Sequence, residues 1–401
     1  MEVGTLAARG AGSIPVEIIP ADEPLLARAD LTGYRYPKSA EGILMVLITG
    51  GAGFIGSNLV HHWIEKMTEP VINVDKLTYA GNLQSLARIY GNPRHIFVRA
   101  DIGDTQLISN LLAKFRPLSV INLAAESHVD RSIQNPDTFV ETNVLATSRL
   151  LKAVCTYWRE LSQDAKAQFR FLHVSTDEVY GSLGAGDPPF CETTRYAPNS
   201  PYAASKAASD HLVRSFYHTY GLPVLTISCS NNYGPYQFPE KLIPLAIHRA
   251  LTNQRIPIYG DGQNVRDWIY VSDHCAALQC VLEKGCPGEV YNIGGSNEKT
   301  NLEVVSLICA ILDQEQPRND AKSYSEQITF VKDRPGHDRR YAIDASKIAK
   351  ELGWSPKENF DLGLRKTIRW YLGNQEWVTN VASGAYRDWV ALQYDEHADS
   401  A

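Results

Sequence analysis

The sequence predicts an α/β fold built on a doubly wound parallel sheet. From Met45 onward, short β-branched runs alternate with longer segments of 3.6-residue apolar periodicity, a pattern typical of parallel strands covered by helices on both faces. Right-handed crossovers then place a binding crevice at the carboxyl ends of the strands. A glycine-rich turn follows the first apolar run. We therefore expect a Rossmann-type sheet, followed by a smaller mixed α/β C-terminal lobe.

Six apolar runs are the predicted strands of this sheet, namely Met45–Thr49, Val71–Asp75, His95–Ala100, Val120–Ala124, Phe169–Ser175 and Val224–Ser228. The predicted helices between them include Asn58–Lys66, Thr105–Phe115 and Thr142–Tyr157. From Asn231 to Pro239 the chain is expected to be a polar, aromatic loop, and later short strands are expected at Ile256–Tyr259 and Glu289–Ile293. The expected organisation is a loosely ordered extension (residues 1–44), a nucleotide-binding domain to which later segments contribute (45–230) and mainly a substrate lobe (231–401).

Charge and composition exclude several classes of protein. The 39 basic and 45 acidic residues give a net charge of −6, which offers no reason to expect nucleic acid or an anionic membrane as a partner. The seven cysteines are odd in number and form no Cys-x-x-Cys pair, so we expect no disulfide scaffold, no metal site and a cytoplasmic location. The uncharged run Gly42–Val60 approaches the length of a membrane span, but its five glycines favour a strand, a turn and a helix start. Residues 1–41 lack the apolar region of a secretory signal.

The glycine-rich turn Gly50–Gly56 satisfies both GxGxxG and GxxGxxG spacing. Glycine is needed in such a turn because a Cβ would keep a diphosphate away from the N–H groups of the following helix. Asp75 ends the second predicted strand 19 residues after Gly56, where a carboxylate accepts hydrogen bonds from ribose hydroxyls and repels a ribose phosphate. NAD is therefore favoured over NADP, although the cation of Lys76 argues the other way. A glycine turn without a ligand is the alternative.

Two further segments are candidates for the same cofactor site. Asp101 and Ile102 follow the third strand and could bracket an adenine, or Asp101 could only cap a helix. Leu123–Ala125 ends the fourth strand with small residues that leave room for a cofactor.

Tyr202 and Lys206 stand at i and i+4, on one face of a predicted helix. An ammonium close to a phenol lowers the phenol pKa from about 10 toward neutrality, so that a phenolate could take a proton from an alcohol. Thr176 lies 26 residues before Tyr202 and offers a hydroxyl at the end of the fifth strand. YxxxK alone often occurs by chance, and its place after a nucleotide-binding sheet is what favours a catalytic role.

Asp177 and Glu178 follow at the carboxyl end of the same strand. Because adjacent carboxylates repel, one of them should hold its proton near neutral pH. A protonated Asp177 could then act as an acid and an ionised Glu178 as a base. An isolated Asp-Glu pair is more often the acidic first turn of a helix, and the position at the crevice favours the functional interpretation.

Several motifs occur in the order found in one enzyme family: GGAGFIG, VDKLTYAGN, LAAESHVDRSI, STDEVYG, YAASK, NNYGPYQFPEKLIP and DRPGHDRRYAID. Together they resemble the extended short-chain dehydrogenase/reductase family, and within it the sugar-nucleotide 4,6-dehydratases, from about Met45 to about Tyr394. Thr-Asp-Glu at 176–178 is the discriminating motif, because related epimerases have small residues there and GDP-mannose dehydratases tend to have Thr-Ser-Glu. The resemblance implies bound NAD, a nucleotide-sugar substrate (dTDP-glucose) and a homodimer formed through helices that flank the sheet.

The resemblance also implies a cycle in three steps. Tyr202, helped by Lys206 and Thr176, removes the proton of the 4-hydroxyl while NAD takes hydride from carbon 4. Glu178 then abstracts the carbon 5 proton as Asp177 protonates the departing 6-hydroxyl, and hydride returns to carbon 6. Net redox is zero, so the cofactor is expected to stay bound. The alternatives are a UDP-glucose 4,6-dehydratase, another NAD-dependent sugar-nucleotide epimerase, or a non-catalytic nucleotide-sensing scaffold.

Matching positions assign the binding residues. The cofactor contacts are Gly50, Gly53, Phe54, Ile55, Gly56, Asp75, Lys76, Leu77, Thr78, Asp101, Ile102, Leu123, Ala124, Ala125, Glu126, Thr142, Tyr202, Lys206 and Asn232. The substrate contacts are Ser127, Thr176, Asn231, Lys241, Leu242, Pro257, Ile258, Tyr259, Arg266, Asn301, Asp333, Arg334, Pro335, Gly336 and His337. The cations among them can neutralise a diphosphate, and Tyr259 or its neighbours can stack near the base. His128 is either catalytic or a polar wall of the pocket.

Overall fold

The computed structural model describes residues 45–382, so the expected extension of residues 1–44 lies outside the described residues. A parallel sheet of seven strands forms the centre, with the order β10-β6-β5-β4-β1-β2-β3. Its strands are β1 (Val46–Thr49), β2 (Val71–Asp75), β3 (His95–Arg99), β4 (Ser119–Asn122), β5 (Arg170–Thr176), β6 (Val224–Cys229) and β10 (Val290–Ile293). The reversal of strand order between β1 and β4 opens a crevice at the carboxyl ends of the strands.

Helices cover both faces of this sheet. The helices of the described chain are α1 (Phe54–Lys66), α2 (Thr105–Phe115), α3 (Val129–Gln134), α4 (Pro136–Phe139), α5 (Thr147–Arg159), α6 (Gln163–Gln168), α7 (Pro201–Tyr220), α8 (Leu242–Leu251), α9 (Val271–Lys284), α10 (Asn301–Glu315), α11 (Ser346–Leu352), α12 (Phe360–Gly373) and α13 (Gln375–Val381). Side chains of α1, α9 and α11 form one apolar core against the sheet. Those of α2, α5 and α7 form a second core on the opposite face.

A third apolar core belongs to the later part of the chain, where α8, α10, α12 and α13 pack together. Two small sheets accompany it. The strands β7 (Asn231–Tyr233), β9 (Val265–Tyr270) and β11 (Glu298–Thr300) form one, and β8 (Ile256–Tyr259) pairs in parallel with β12 (Ile328–Val331) in the other. Within residues 45–382, no helix combines the length and the apolar character that crossing a membrane requires.

The doubly wound sheet and the six predicted strands are confirmed, with differences at their ends. The fourth strand stops at Asn122, so Leu123 and Ala124 leave the sheet and line the crevice instead. The predicted loop from Asn231 to Pro239 is wrong in its first three residues, which pair with β9. The predicted strand at 289–293 exists as β10, but it pairs with β6 and so extends the large sheet.

The predicted helix Thr142–Tyr157 is also different in detail. Val140–Ala146 winds as a π-helix, and regular α-helix begins only at Thr147. A π-turn inside a helical segment often marks a functional site, and here Thr142 lines the crevice. The amphipathic pattern of a sequence cannot distinguish the two kinds of turn, because one wide turn barely changes the apolar stripe.

Candidate active site

The crevice contains two adjoining cavities. The first, of about 280 Å³, lies over the ends of β1, β2, β4, β5 and β6. The second, of about 170 Å³, lies between that edge and the later lobe. Glu178, Asn231 and Lys241 line both cavities. The two cavities therefore meet at Glu178. A reacting group placed at this junction can be reached from both cavities.

The glycine turn forms the floor of the first cavity. Gly50 has φ +71°, and a Cβ on Gly56 would lie 2.0 Å from the Gly50 carbonyl oxygen. The Asp75 carboxylate accepts hydrogen bonds from Ala52 N (2.8 Å) and Leu77 N (2.7 Å). Burial raises the pKa of Asp75, while these backbone N–H groups lower it. The glycine turn exposes backbone N–H groups that no side chain covers, and the Asp75 carboxylate is fixed beside it. This combination fits the diphosphate and the ribose of a dinucleotide.

The structure places all the predicted cofactor residues except Leu77 at this cavity, from Gly50 through Glu126, Thr142 and Lys206 to Asn232. Leu77 instead packs its side chain against the sheet core and has φ +57°, so its cofactor contact stays a prediction that the cavity lining does not include. Lys76 forms a 2.8 Å ion pair with Asp101. The ion pair neutralises the charge of Lys76, which is the predicted residue that would favour the ribose phosphate of NADP. Ala80 and Gly81 also line the cavity and were missed.

The five predicted catalytic residues meet at the junction of strand β5 and helix α7. Thr176 ends β5, and Asp177 and Glu178 begin a 3₁₀ turn. Ser200 caps α7 by accepting a hydrogen bond from Ala203 N at 3.1 Å, which fixes Tyr202 in the first turn, facing the cavity. The side chains of Thr176, Asp177, Glu178, Tyr202 and Lys206 all line the first cavity.

The two carboxyl groups differ in their surroundings. Burial raises the pKa of Asp177 well above its ordinary value, and the neighbouring charge of Glu178 raises it further. Asp177 Oδ2 is buried without a hydrogen-bond partner among the described residues. Burial also raises the pKa of Glu178, but the cations Arg334, Lys241 and Arg266 lower it. Burial and the neighbouring charge thus both oppose ionisation of Asp177, whereas at Glu178 the nearby cations partly offset the effect of burial.

The expected lowering of the Tyr202 pKa by Lys206 is wrong for this structure. Burial raises the Tyr202 pKa well above its ordinary value, the charge of Glu178 adds to the rise, and a hydrogen bond with the Thr176 side chain opposes it. The Lys206 ammonium donates a hydrogen bond to Val174 O at 2.7 Å. Helical spacing gave the correct face for both residues, but it could not show how strongly the interior would disfavour the phenolate.

The second cavity holds most of the predicted substrate residues, namely Asn231, Lys241, Leu242, Pro257, Ile258, Tyr259, Arg266, Asn301, Arg334 and His337. Ser127 and Thr176 line the first cavity. Lys241 Nζ donates to Ser127 O at 2.7 Å, which joins the two walls. Lys241, Arg266 and Arg334 all line this cavity and are the cations that a diphosphate would require.

Asp333, Pro335 and Gly336 do not line either cavity, so their predicted contacts are not seen. The Asp333 carboxylate accepts from Arg334 N (2.8 Å) and lies 2.6 Å from His337 Nδ1. These bonds shape the loop so that Arg334 and His337 face the cavity. A motif match assigns the whole loop from 333 to 337, whereas only Arg334 and His337 line the cavity.

Sequence reasoning missed Asp130, which orients two substrate residues. It accepts from Arg334 Nη1 at 3.2 Å and from Tyr259 Oη at 3.3 Å. Glu240 was also missed, and burial raises its pKa to about 7. Both residues stand inside motifs that the sequence showed, but their role depends on partners more than a hundred residues away.

His128 is fully enclosed. Its Nε2 lies 3.4 Å from Glu240 O, and burial lowers its pKa well below the ordinary value. His128 lines the second cavity as a neutral imidazole, and both interpretations of this residue stay predictions. Within the described residues, no group of three or more His, Cys, Asp or Glu side chains is arranged to hold a metal ion.

Comparison with known proteins gives consistent similarities. The model of the GDP-mannose 4,6 dehydratase family matches residues 47–367. The chain is 60% identical over 341 residues to dTDP-glucose 4,6-dehydratase of Xanthomonas campestris pv. campestris strain B100, covering 85% of this chain and 97% of that protein. It is 56% identical over 360 residues to dTDP-glucose 4,6-dehydratase 1 of Escherichia coli K12, covering 88% and 99%.

Solved structures agree with these relatives. The crystal structure of dTDP-glucose 4,6-dehydratase from Bacillus anthracis in complex with NAD has a TM-score of 0.74 and 45% identity, covering 84% of this chain and 99% of that one. The UDP-glucose 4-epimerase of Thermotoga maritima has a TM-score of 0.73 but only 29% identity, with 83% and 100% covered. The fold is thus shared with epimerases, and the sequence is more similar to the dehydratases.

Proposed function

This chain belongs to the GDP-mannose 4,6 dehydratase family of extended short-chain dehydrogenase/reductases, and on that premise we propose that it is an NAD-dependent dTDP-glucose 4,6-dehydratase. It converts dTDP-glucose to dTDP-4-keto-6-deoxyglucose and water. The observation that carries the proposal is that Asp177, whose burial raises its pKa, and Glu178 line one cavity with Tyr202. Elimination of water from carbons 5 and 6 needs a further acid and base, whereas epimerisation at carbon 4 needs only the group that exchanges the 4-hydroxyl proton.

The cofactor site suits NAD that remains bound through the reaction. Asp75 fixes the glycine turn and receives the adenosine ribose, and Lys76 is already paired with Asp101. When bound, NAD would supply the acceptor and donor of hydride and, through its cationic ring, a charge that favours the Tyr202 phenolate. Solved relatives contain NAD, which supports this assignment.

Tyr202 is the proposed base for the 4-hydroxyl proton. Thr176 is hydrogen-bonded to the phenol and would support a phenolate there. Phe139 packs edge-on against the ring, with centroids 6.3 Å apart, and fixes its orientation. Positioned general bases contribute about 10²–10⁴-fold to rate.

Glu178 is the proposed base for the carbon 5 proton, and Asp177 is the proposed acid for the departing 6-hydroxyl. Arg334 and Lys241 lower the pKa of Glu178, Arg266 lowers that of both carboxyl groups, and the charge of Glu178 raises that of Asp177. Oxidation at carbon 4 acidifies the carbon 5 proton, which is why the elimination follows it. Glu178 then returns the proton to carbon 5 as carbon 6 takes back the hydride that bound NAD would have accepted from carbon 4.

The finer assignments are part of the same proposal. Lys241, Arg266 and Arg334 would neutralise the diphosphate, and Tyr259 would lie near the base. Three apolar side chains around α3 to α5, Ile133, Val140 and Leu145, are 38%, 47% and 49% exposed. The homodimer through the helices that flank the sheet is proposed from the family resemblance. Unpaired thiols support a cytoplasmic location.

The test is direct. Purified protein is incubated with dTDP-glucose, and the sugar nucleotide is analysed by mass spectrometry. Loss of one water with formation of a 4-keto group supports the proposal, whereas an isomer of unchanged mass indicates an epimerase. No turnover of any hexose nucleotide indicates a non-catalytic scaffold. Competition between dTDP-glucose and UDP-glucose then decides the nucleotide. For the variant Tyr202→Phe, the matched control is Tyr220→Phe, which changes an exposed tyrosine on the same helix.

A further inference from the structure

A buried carboxylate, Asp210, lies behind the catalytic residues and has no part in the scheme above. Tyr202, Lys206 and Asp210 stand at i, i+4 and i+8 along α7, so they form one column on the face that packs against β5. Asp210 is only 5% exposed and Lys206 only 4%. A buried charge of this kind is stable only if it is paired and hydrogen-bonded.

The Asp210 carboxylate is held from several directions. Its Oδ2 accepts hydrogen bonds from Ser175 Oγ at 2.7 Å and from Tyr196 Oη at 3.0 Å. Its Oδ1 lies 3.3 Å from His173 Nε2. Ser175 directly precedes Thr176 on β5, so one of these bonds fixes the end of the strand that carries the acid and the base.

A row of buried polar side chains approaches Asp210 across the sheet. Thr49 Oγ1 accepts from Ala124 N (3.2 Å) and donates to Asn122 Oδ1 (2.7 Å). The Asn122 amide nitrogen therefore faces His173 Nδ1, at 3.2 Å. This assigns the proton of the neutral His173 to Nε2, on the side of Asp210. The donors from Thr49 to His173 follow one direction along the row, while His173 Nε2 and Asp210 Oδ1 themselves make no hydrogen bond among the described residues.

Lys206 is the cation of this column and lies one helical turn from Asp210, without a direct ion pair or hydrogen bond between the two side chains. Its ammonium donates to Val174 O, and burial lowers its pKa, while the charge of Asp210 raises it. The other groups that face Lys206 are the Cys229 thiol from β6 and His173 from β5. Both are neutral, because burial raises the pKa of Cys229 to about 12 and lowers that of His173.

We propose that Asp210 is a positioning residue that keeps the buried Lys206 ammonium charged and, through Ser175, holds the end of β5 that carries Thr176, Asp177 and Glu178. It touches neither cavity, so it acts through Lys206 and Ser175. The kinetic part of this inference rests on the proposed function. The charge of Lys206 does not, and it can be measured in the full chain without any substrate.

The experiment follows the protonation of Lys206 by NMR of ¹³Cε-labelled lysine, with the signal assigned by its loss in Lys206→Arg. In Asp210→Asn, which keeps the size of the side chain, Lys206 should lose its proton about one to three pH units lower than in the wild type. Tyr196→Phe is the matched control, because it removes one hydrogen bond to the same carboxylate and leaves the charge. Its Lys206 titration should stay at the wild-type position.

Turnover of dTDP-glucose gives the second measurement. The alkaline limb of kcat should shift down in pH by the same amount in Asp210→Asn, with KM unchanged, and Asp210→Glu should restore it. If Asp210→Asn does not fold, Asp210→Ser removes the charge with less bulk. An unshifted Lys206 titration overturns the inference. A shifted titration in a protein that turns over no hexose nucleotide overturns the proposed function and leaves the inference standing.

Discussion

Replacing Asp177 by asparagine separates the chemical role of this residue from its structural role. The amide has nearly the size of the protonated carboxyl group, and it can keep the 3.4 Å contact with the Thr176 hydroxyl. It cannot deliver a proton to a leaving hydroxyl. The variant should therefore bind substrate and oxidise carbon 4, but stall before water is lost.

The expected size of the defect follows from the loss of a positioned acid. Such groups contribute about 10²–10⁴-fold, which corresponds to about 2.7–5.5 kcal/mol in the activation free energy. Although Asp177→Asn lowers the activity, it should raise the free energy of unfolding relative to the wild type above about pH 4. The pKa of Asp177 in the folded protein lies well above its ordinary value of 3.8, so the wild type loses free energy of unfolding as pH rises from about 4 through the folded-state pKa. The asparagine variant has no such loss, so its stability relative to wild type should grow over that range.

Two measurements check this prediction. Absorbance of reduced nicotinamide and mass spectrometry of the sugar nucleotide should show build-up of the reduced cofactor and slow formation of product. Urea unfolding at several pH values should show the relative gain in stability. Asp164→Asn, an exposed first-turn residue of α6, is the control and should change neither. Product formation at the wild-type rate, without build-up of reduced cofactor, would remove Asp177 from the role of acid.

Three other changes test the remaining parts of the site. Tyr202→Phe should lower oxidation at carbon 4 by at least about 10²-fold, and unchanged turnover in a spectrophotometric assay would exclude the phenol as base. Glu178→Gln should suppress incorporation of solvent deuterium at carbon 5, and undiminished incorporation by NMR would assign the base elsewhere. Gly56→Ala places a Cβ 2.0 Å from Gly50 O, so urea unfolding should show a loss of about 1–3 kcal/mol and the purified protein should contain less NAD. Gly373→Ala, with open space at its Cβ, should do neither, and equal effects of the two substitutions would refute the steric argument.

The sequence was sufficient for the features that depend on local pattern. Alternating strands and helices predicted the sheet, the glycine turn and Asp75 predicted the cofactor edge, and the spacing of Tyr202 and Lys206 predicted a shared helix face. Each of these signals lies within a few residues or follows from the repeat of one structural unit. The structure brings the five predicted catalytic residues together in one cavity.

The rest depends on distant contacts and on burial. Asp130 orients Arg334 across 204 residues of sequence, and no local pattern connects them. The predicted direction of the Tyr202 pKa shift was wrong, because that shift depends on how deeply the phenol is buried and which charges surround it. The place of β10 beside β6 also could not be read locally, since a short apolar run does not show which sheet it joins.

The position of β10 has a consequence for attempts to exchange the sugar-binding half for another. The chain leaves the large sheet after β6, returns to it with α9 and β10, and contributes α11 to its outer face later still. A chimera made with a single crossover would remove an edge strand and two covering helices from the nucleotide-binding half. The apolar face of the sheet would then be exposed to solvent. Recombination between relatives should give folded proteins only when several crossover points are chosen together. New sugar specificities should therefore be easier to reach by point substitutions in the loops than by exchange of the whole sugar-binding half.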